Sequence, residues 1–546
     1  MARPLIPSEL RAHPPVWLLT ISIGGFAWRL ATQAVELTDA VGEGYRYDGL
    51  LPLPQLQQAL AFLGSDPGAD GLSLRDLRLE GVLDRIDRGD DLSVAVGELA
   101  LHLPGEAWED RRIVLTGVLR EPQYDAGDVV SFTIQAGAWQ DRARIPLGTA
   151  VIDAVTWPDH REDHRSRAYP IVQGTPGAYD QADGTAATTI GSEALWVWNT
   201  DFTAARLLIA GHRVAAETVT IENLNDGTTE SLAVEHVQDG RGAWVATVSL
   251  VTVTTLTRTL THNFGVRWDN GGALRGTADS GAILGAGELL QWWLQQTSLG
   301  VDLARSRPAF QLLNAYKLSG VVEKALHPKD FIKGALQPVL PMSISTGPQG
   351  LYPVFWKHNA TPADAVAELY VTPGLLEPAG PITFEGEPTP EFRLQYALAV
   401  DKGAHRRTLV LSGDPSRAGV AGVLTNSQVR SAWIRHEVRH RAVDPEAPVP
   451  PPPVKEVKSD FIYDERTAAL VLTMHSFAEA LPRRVLVYDI SSELVWLQHG
   501  QWLVLNDKDR RITSQLAWVE GIGFNAGGLE HQLHLKIFDQ PLRDRR

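Results

Sequence analysis

Three constellations in this sequence carry side chains of the type that chemistry needs. The first is His436-Glu437-Val438-Arg439-His440, a literal HExxH. On a helix its two histidines would share one face and bind zinc, while Glu437 polarised a metal-bound water for hydrolysis. The surrounding residues argue against that chemistry. Ala432, Ile434, His436 and Val438 alternate with Trp433 and Arg435, a period that predicts a strand and sets the histidines apart. Arg435, Arg439 and Arg441 would place cations beside a dication, and the prolines from Pro445 onward leave little room for a packed helix or a third ligand. The second constellation is His160, Asp163 and His164 in TWPDHREDHRSRAYP. Without a helix to align them, they read as a charged surface loop.

The third is aromatic. Sixteen tryptophans raise a carbohydrate-binding reading, yet Trp17, Trp196, Trp198, Trp496 and Trp518 sit within apolar strand patterns, where burial is the expected role. No GxSxG elbow and no GxxxxGK[ST] phosphate loop occurs, and the acid pairs Asp90/Asp91 and Glu109/Asp110 read as turns or a solvated face. No catalytic residue, cofactor site or metal site is assigned on this basis. A zinc metallohydrolase with His436 and His440 as ligands and Glu437 as base is kept as one alternative, and a carbohydrate-binding multidomain β-protein as another.

The elements that would position these groups are mostly strands. Short alternating runs fill the chain from Val16 to about residue 150, among them VWLLTISI, LSVAVGELALHL and VVSFTIQAG. They resume from ALWVWNT to FGVRW and again after residue 480. The strongest helical signal lies in 276–356. There Gly281, Gly285 and Gly287 lead into LLQWWL, and a second helix opens at Pro328, where a missing N–H is tolerated. Trp292 and Trp293 on the first helix are the candidates for a buried domain or subunit interface. PVPPPPV predicts an extended spacer, and ERTAALVLTMHSFAEA after it has the composition of a helix.

The predicted fold is therefore mainly β with a smaller α+β part: several antiparallel barrel or sandwich domains around a helix-containing centre. The expected divisions are 1–155, an N-terminal β-barrel-like domain; 156–275, a second all-β domain; 276–444, an α+β domain; 445–459, a Pro-rich linker; and 460–546, a β-meander. A net charge of -15 excludes general affinity for phosphate backbones. The absence of cysteine excludes disulfides, thiolate metal sites and cysteine nucleophiles. No stretch approaches the ~20 apolar residues of a membrane span.

Four segments taken together resemble the tail hub proteins of tailed bacteriophages, which close the end of the tail tube. They are RYDGLL with SLRDLRLEG; TWPDHREDHRSRAYPIVQGTPG; AYKLSGVVEKALHPKDFIKGALQPVLPMSISTGPQGLYPVFW; and RRVLVYDISSELVWLQHGQWLVLNDKD. The resemblance covers most of the chain as a pattern rather than as an invariant motif. It implies a structural virion protein at the tail tip, assembled in the bacterial host cytoplasm. It further implies a homotrimeric ring in which each subunit gives two tube-like domains to a hexameric tube. The implied partners are a distal tail or tail-tube protein, the tape-measure protein and tip fibres or a spike, with DNA only in transit through an acidic channel. It implies no catalysis and no cofactor, and it makes the HEVRH segment a strand. Because the chain stops soon after its last meander, no receptor-binding or lytic extension is expected.

Overall fold

The structure is a computed structural model. It describes residues 16–538 except 40, 52–55, 60–70, 103–107, 109–110, 126, 137–143, 146–148, 181–184, 198–204, 252, 257–260, 269–282, 298–299, 348–349, 444–445, 447–448, 492–493, 495–496 and 525–530. Gly281, Trp198, Trp496, Glu109 and Asp110 lie outside the described residues.

Strands dominate, as the alternation predicts. The first part is a seven-stranded sheet ordered Gly49–Leu50, Phe26–Ala31, Val16–Ile23, Val96–His102, Arg112–Asp125, Val129–Ala136, Gly71–Arg78. Its first hairpin turns in two residues between Ile23 and Phe26. Gly24 and Gly25 both have positive φ (53° and 82°) there, the hand that lets a two-residue turn follow the strand twist.

The second part is a closed six-stranded barrel, Ser192–Val197, Arg206–Ala210, Trp244–Ser249, Thr229–Gln238, Thr218–Asn223, Phe264–Arg267, closing back on the first strand. Closure removes the unpaired edges that open sheets expose. Alternate residues Val219, Ile221 and Asn223 point inward along one strand, and Trp196 and Trp268 fill the same interior.

The third part packs helices on a small sheet. Helix Ala286–Gln295 crosses Leu303–Leu313 at backbone contact: a Cβ on Gly287 would lie 2.0 Å from the Phe310 carbonyl oxygen, and one on Gly285 would lie 2.4 Å from Asn314 Oδ1. These two glycines are therefore set by the helix crossing. Asp302 caps the second helix by accepting the Arg305 N–H at 3.1 Å. Helix Pro328–Phe331 continues into a π-helical turn, Ile332–Leu336. A four-stranded sheet follows, ordered Val423–Leu424, Ala404–Ser412, Glu391–Ala399, Val454–Lys458, and helix Glu465–Glu479 packs on it.

Two elements depart from the sequence reading. The stretch from Val429 to His440, read as a strand, lies in a helix of 17 residues, Ser427–Val443. Only its first turns are packed, through Val429 and Ala432, so the rest shows solvent-facing charge on nearly every side and no apolar helical period. Val454–Lys458, read as part of an extended spacer, is a strand paired in parallel with Glu391–Gln395. Once the prolines end, VKEVK has the alternation of an edge strand and an N–H at every residue.

The last sheet has eight strands. Its main path is Glu368–Tyr370, Trp502–Asp507, Ile512–Phe524, His531–Phe538, Arg483–Ile490, Leu376–Pro378, with Thr383–Glu385 also on Arg483–Ile490 and Leu56–Ala59 on the end of Ile512–Phe524. An N-terminal strand thus belongs to the C-terminal sheet. The two large sheets share one apolar core: Leu19, Ile21, Leu72 and Leu119 from the first cluster with Leu486, Leu503, Val519 and Leu535 from the last.

Candidate functional site

The helix Ser427–Val443 places His436 and His440 one turn apart on one face, their rings nearly parallel (10°) with centroids 6.4 Å apart. This much of the HExxH geometry is present, contrary to the strand expected from alternation. The rest is not. His436 Nε2 lies 3.2 Å from the Pro450 carbonyl oxygen, the bond that holds the returning proline segment against the helix. Glu437 is paired with Arg441 at 2.6 Å, so the carboxylate that would activate a water serves instead as a helical i,i+4 ion pair. Among the described residues no third His, Asp or Glu completes a metal cluster. A groove of about 540 Å³ lies between His436, Arg439 and His440 and the prolines 451–453, and Arg439 sits 3.9 Å from Glu387 across it. Two imidazoles beside guanidinium groups do not fit a zinc centre.

The connector residues are also brought together, for a different task. Arg161 grips both carboxylate oxygens of Asp163 (2.5 and 2.7 Å) and reaches the His262 carbonyl oxygen (2.9 Å) and Asn263 Oδ1 (2.7 Å). His164 is 2 % exposed, and its Nδ1 accepts the Trp196 N–H at 2.8 Å. Burial, reinforced by Arg161, pushes its pKa down to about 4, so the ring is neutral at pH 7. His160 turns away, its Nδ1 lying 2.7 Å from the Trp157 carbonyl oxygen. Trp157 Nε1 donates to the Tyr169 hydroxyl (3.0 Å), which donates to Asp239 (2.9 Å), while Arg241 holds Asp153 at 2.6 Å. Together these bonds pin the connector to the barrel, with no ring nitrogen of His164 open to a metal.

The tryptophans divide by burial. Trp17, Trp196 and Trp518 are buried, 5 %, 1 % and 3 % exposed. Trp244 is exposed, and the Arg213 guanidinium covers its ring at 4.0 Å. Trp293 is fully buried and stacks on Phe331 at 4.1 Å, and Phe331 meets Phe461 edge-on at 5.1 Å. Trp292, half-buried, packs edge-on against Trp293 at 5.2 Å. One helix thereby ties the centre of the chain to the segment after the prolines.

The sequence reading passed over one concave region, at Glu323, Phe331, Gly334 and Phe461, because its residues come from five separate segments. The only local signal was the run KDFIKGAL, where a glycine interrupts an otherwise helical stretch.

No family model matches the sequence, and neither does any curated protein. Among solved structures the chain is similar to the tail protein from Neisseria meningitidis MC58, with 9 % identity and a TM-score of 0.35 over 96 % of this chain and 97 % of that one. The 43 kDa tail protein of prophage MuSo2 from Shewanella oneidensis aligns over 95 % of this chain and 98 % of its own, at 7 % identity and a TM-score of 0.34. A chain of the virion of a native gene transfer agent particle aligns over 74 % and 93 %, at 9 % identity and a TM-score of 0.39.

Proposed function

We propose that this chain is a structural protein of a phage-type tail, the subunit of a trimeric hub that closes the distal end of the tube. The observation that carries the reading is the pair of large, mainly antiparallel sheets, drawn chiefly from opposite ends of the chain and packed on one apolar core. Two such sheets per subunit give six in a trimer, the number a hexameric tube presents, as the sequence resemblance implies. In this reading the subunits surround a channel for DNA and the tape-measure protein, and the net charge of -15 suits a lining that repels phosphate. A distal tail or tail-tube protein docks on one side and tip fibres or a spike on the other. The divisions near 155, 275, 444 and 459 belong to the same proposal, with the first and last parts acting as one body. Trp292 and Trp293 serve as packing residues, and the hub acts without catalysis or a cofactor.

The test is the mass and symmetry of the purified protein. Mass photometry and negative-stain imaging are expected to give a three-fold ring around a channel. A monomer that persists at micromolar concentration and stays monomeric with its tube protein would overturn the hub reading.

A further inference from the structure

A cavity of about 410 Å³ opens where the barrel, the π-helical turn and the segment after the prolines meet. That volume lies in the range, roughly 300–1,000 Å³, of pockets that bury a ligand group. Its wall is apolar, made by Val322, Leu398, Phe461 and Phe331, the last backed by the fully buried Trp293. Phe331 is therefore held by stacking on Trp293, and Phe461 meets it edge-on in the cavity wall.

The cavity owes its space to the turn Ile332–Leu336. A π-helical turn is wider than an α-helical one and recurs at functional sites. Gly334 lines the cavity, and a Cβ added there would meet no atom within 4 Å. Its φ is not in the left-handed region and nothing crowds it, so neither backbone nor packing requires glycine. What the missing side chain leaves is open volume.

The rim is anionic. Glu323, Asp330 and Asp460 face one ammonium, Lys324. Asp460 is paired with His405 at 3.0 Å. Glu323 receives a hydrogen bond from the Glu193 backbone, and burial followed by repulsion from Glu193 raises its pKa. Arg167, whose charge attracts Glu323, is already paired with Glu193 at 2.9 Å, and a desolvated carboxylate gains from a further cation placed beside it.

We propose that this cavity is a docking site for a segment of a partner protein that inserts an aromatic side chain next to a lysine or arginine. The ring fills the space over Gly334 beside the Phe331–Phe461 pair, and the cation meets Glu323 with Asp330 at the rim. Charge complementarity selects this occupant over an acidic or purely apolar one. The inference stands independently of the tail reading, since it uses only the cavity.

The full-length chain is titrated with N-acetyl-Trp-Lys-amide by ligand-observed NMR, beside N-acetyl-Trp-Glu-amide and N-acetyl-Gly-Lys-amide. The Trp-Lys probe is expected to bind about tenfold or more tighter than either control. Glu323→Gln is expected to weaken it by about tenfold, and Gly334→Leu, which fills the space, to abolish binding while the thermal melt stays in place. No saturable binding of the Trp-Lys probe up to millimolar concentration, equal binding of the Trp-Glu probe, or binding unchanged in Glu323→Gln overturns the proposal. If Gly334→Leu does not fold, the probe selectivity and Glu323→Gln still decide it.

Discussion

At the scale of single residues, the histidines show how context replaces motif. His164 is held neutral in the folded chain with a pKa of about 4, while an unfolded chain gives it about 6.5. Between those values the unfolded state binds more protons, so the stability His164 confers is complete above about pH 6.5 and is lost as pH falls toward 4. The difference is worth about 3 kcal/mol at full extent. His212 and His531 are lowered to about 4 by burial and add to the same slope. Urea titrations from pH 7 to pH 4 should show falling stability, with a shallower fall in His164→Gln, whose carbonyl can still accept the Trp196 N–H. An identical slope in that variant would remove His164 from the account. The HExxH histidines make the opposite case, a motif whose partners are those of a helix surface. Because Pro450 and Arg441 occupy His436 and Glu437, metal analysis of the purified chain should find no stoichiometric zinc. One zinc per chain that disappears in both His436→Ala and His440→Ala would reinstate the hydrolase.

At the scale of elements, the sequence was legible where burial imposes a period and silent where it does not. VVSFTIQA buries one face of a sheet, so alternation located it, while VWLLTISI, buried on both faces over Val16–Leu19, was located by its short apolar run. LLQWWL, followed by the Pro328 start, located two helices, because a mostly buried helix carries an apolar stripe. The helix Ser427–Val443 escaped because only its first turns touch the core, and Ile434 and Val438 are exposed by 43 % and 62 %. Its apparent alternation was an accident of surface composition. The cavity at Gly334 was hidden for a second reason, since residues 321–335 meet Gly191, Leu398 and Phe461 from remote segments to line it. Packing does define what each tryptophan of the central helix should do. Trp293→Ala removes a fully buried ring stacked on Phe331 and should cost about 3–5 kcal/mol, read as a lowered urea midpoint. Trp292→Ala, at a half-buried position, should leave the isolated subunit nearly as stable and act on assembly instead. Equal destabilisation by the two would show that Trp292 belongs to the core alone.

At the scale of the whole molecule, the chain's ends are not separable bodies. Sequence patterns place the strands 16–136 and 483–538 at opposite ends, and no local signal says that they meet, because pairing between remote segments leaves no trace in spacing. In the structure their apolar faces close on each other, and Leu56–Ala59 crosses to pair with Gly521–Phe524. The consequence is a prediction about truncation. Removing residues 460–546 would uncover Leu19, Ile21, Leu72 and Leu119, all fully buried in the intact chain. Exposing such side chains costs about 1.5–3 kcal/mol each, and a handful of them matches the about 5–15 kcal/mol that keeps a domain folded. Residues 1–459 should therefore be recovered as aggregate or bind a hydrophobic dye, and co-expression with residues 460–546 as a separate chain should restore solubility. The rescue matters because it separates a missing surface from a missing folding signal: the second chain supplies the opposite face of the core and nothing covalent. A soluble, cooperatively melting 1–459 would instead mean that the N-terminal sheet closes its own core, and that the two sheets counted per subunit in the hub proposal fold as independent units.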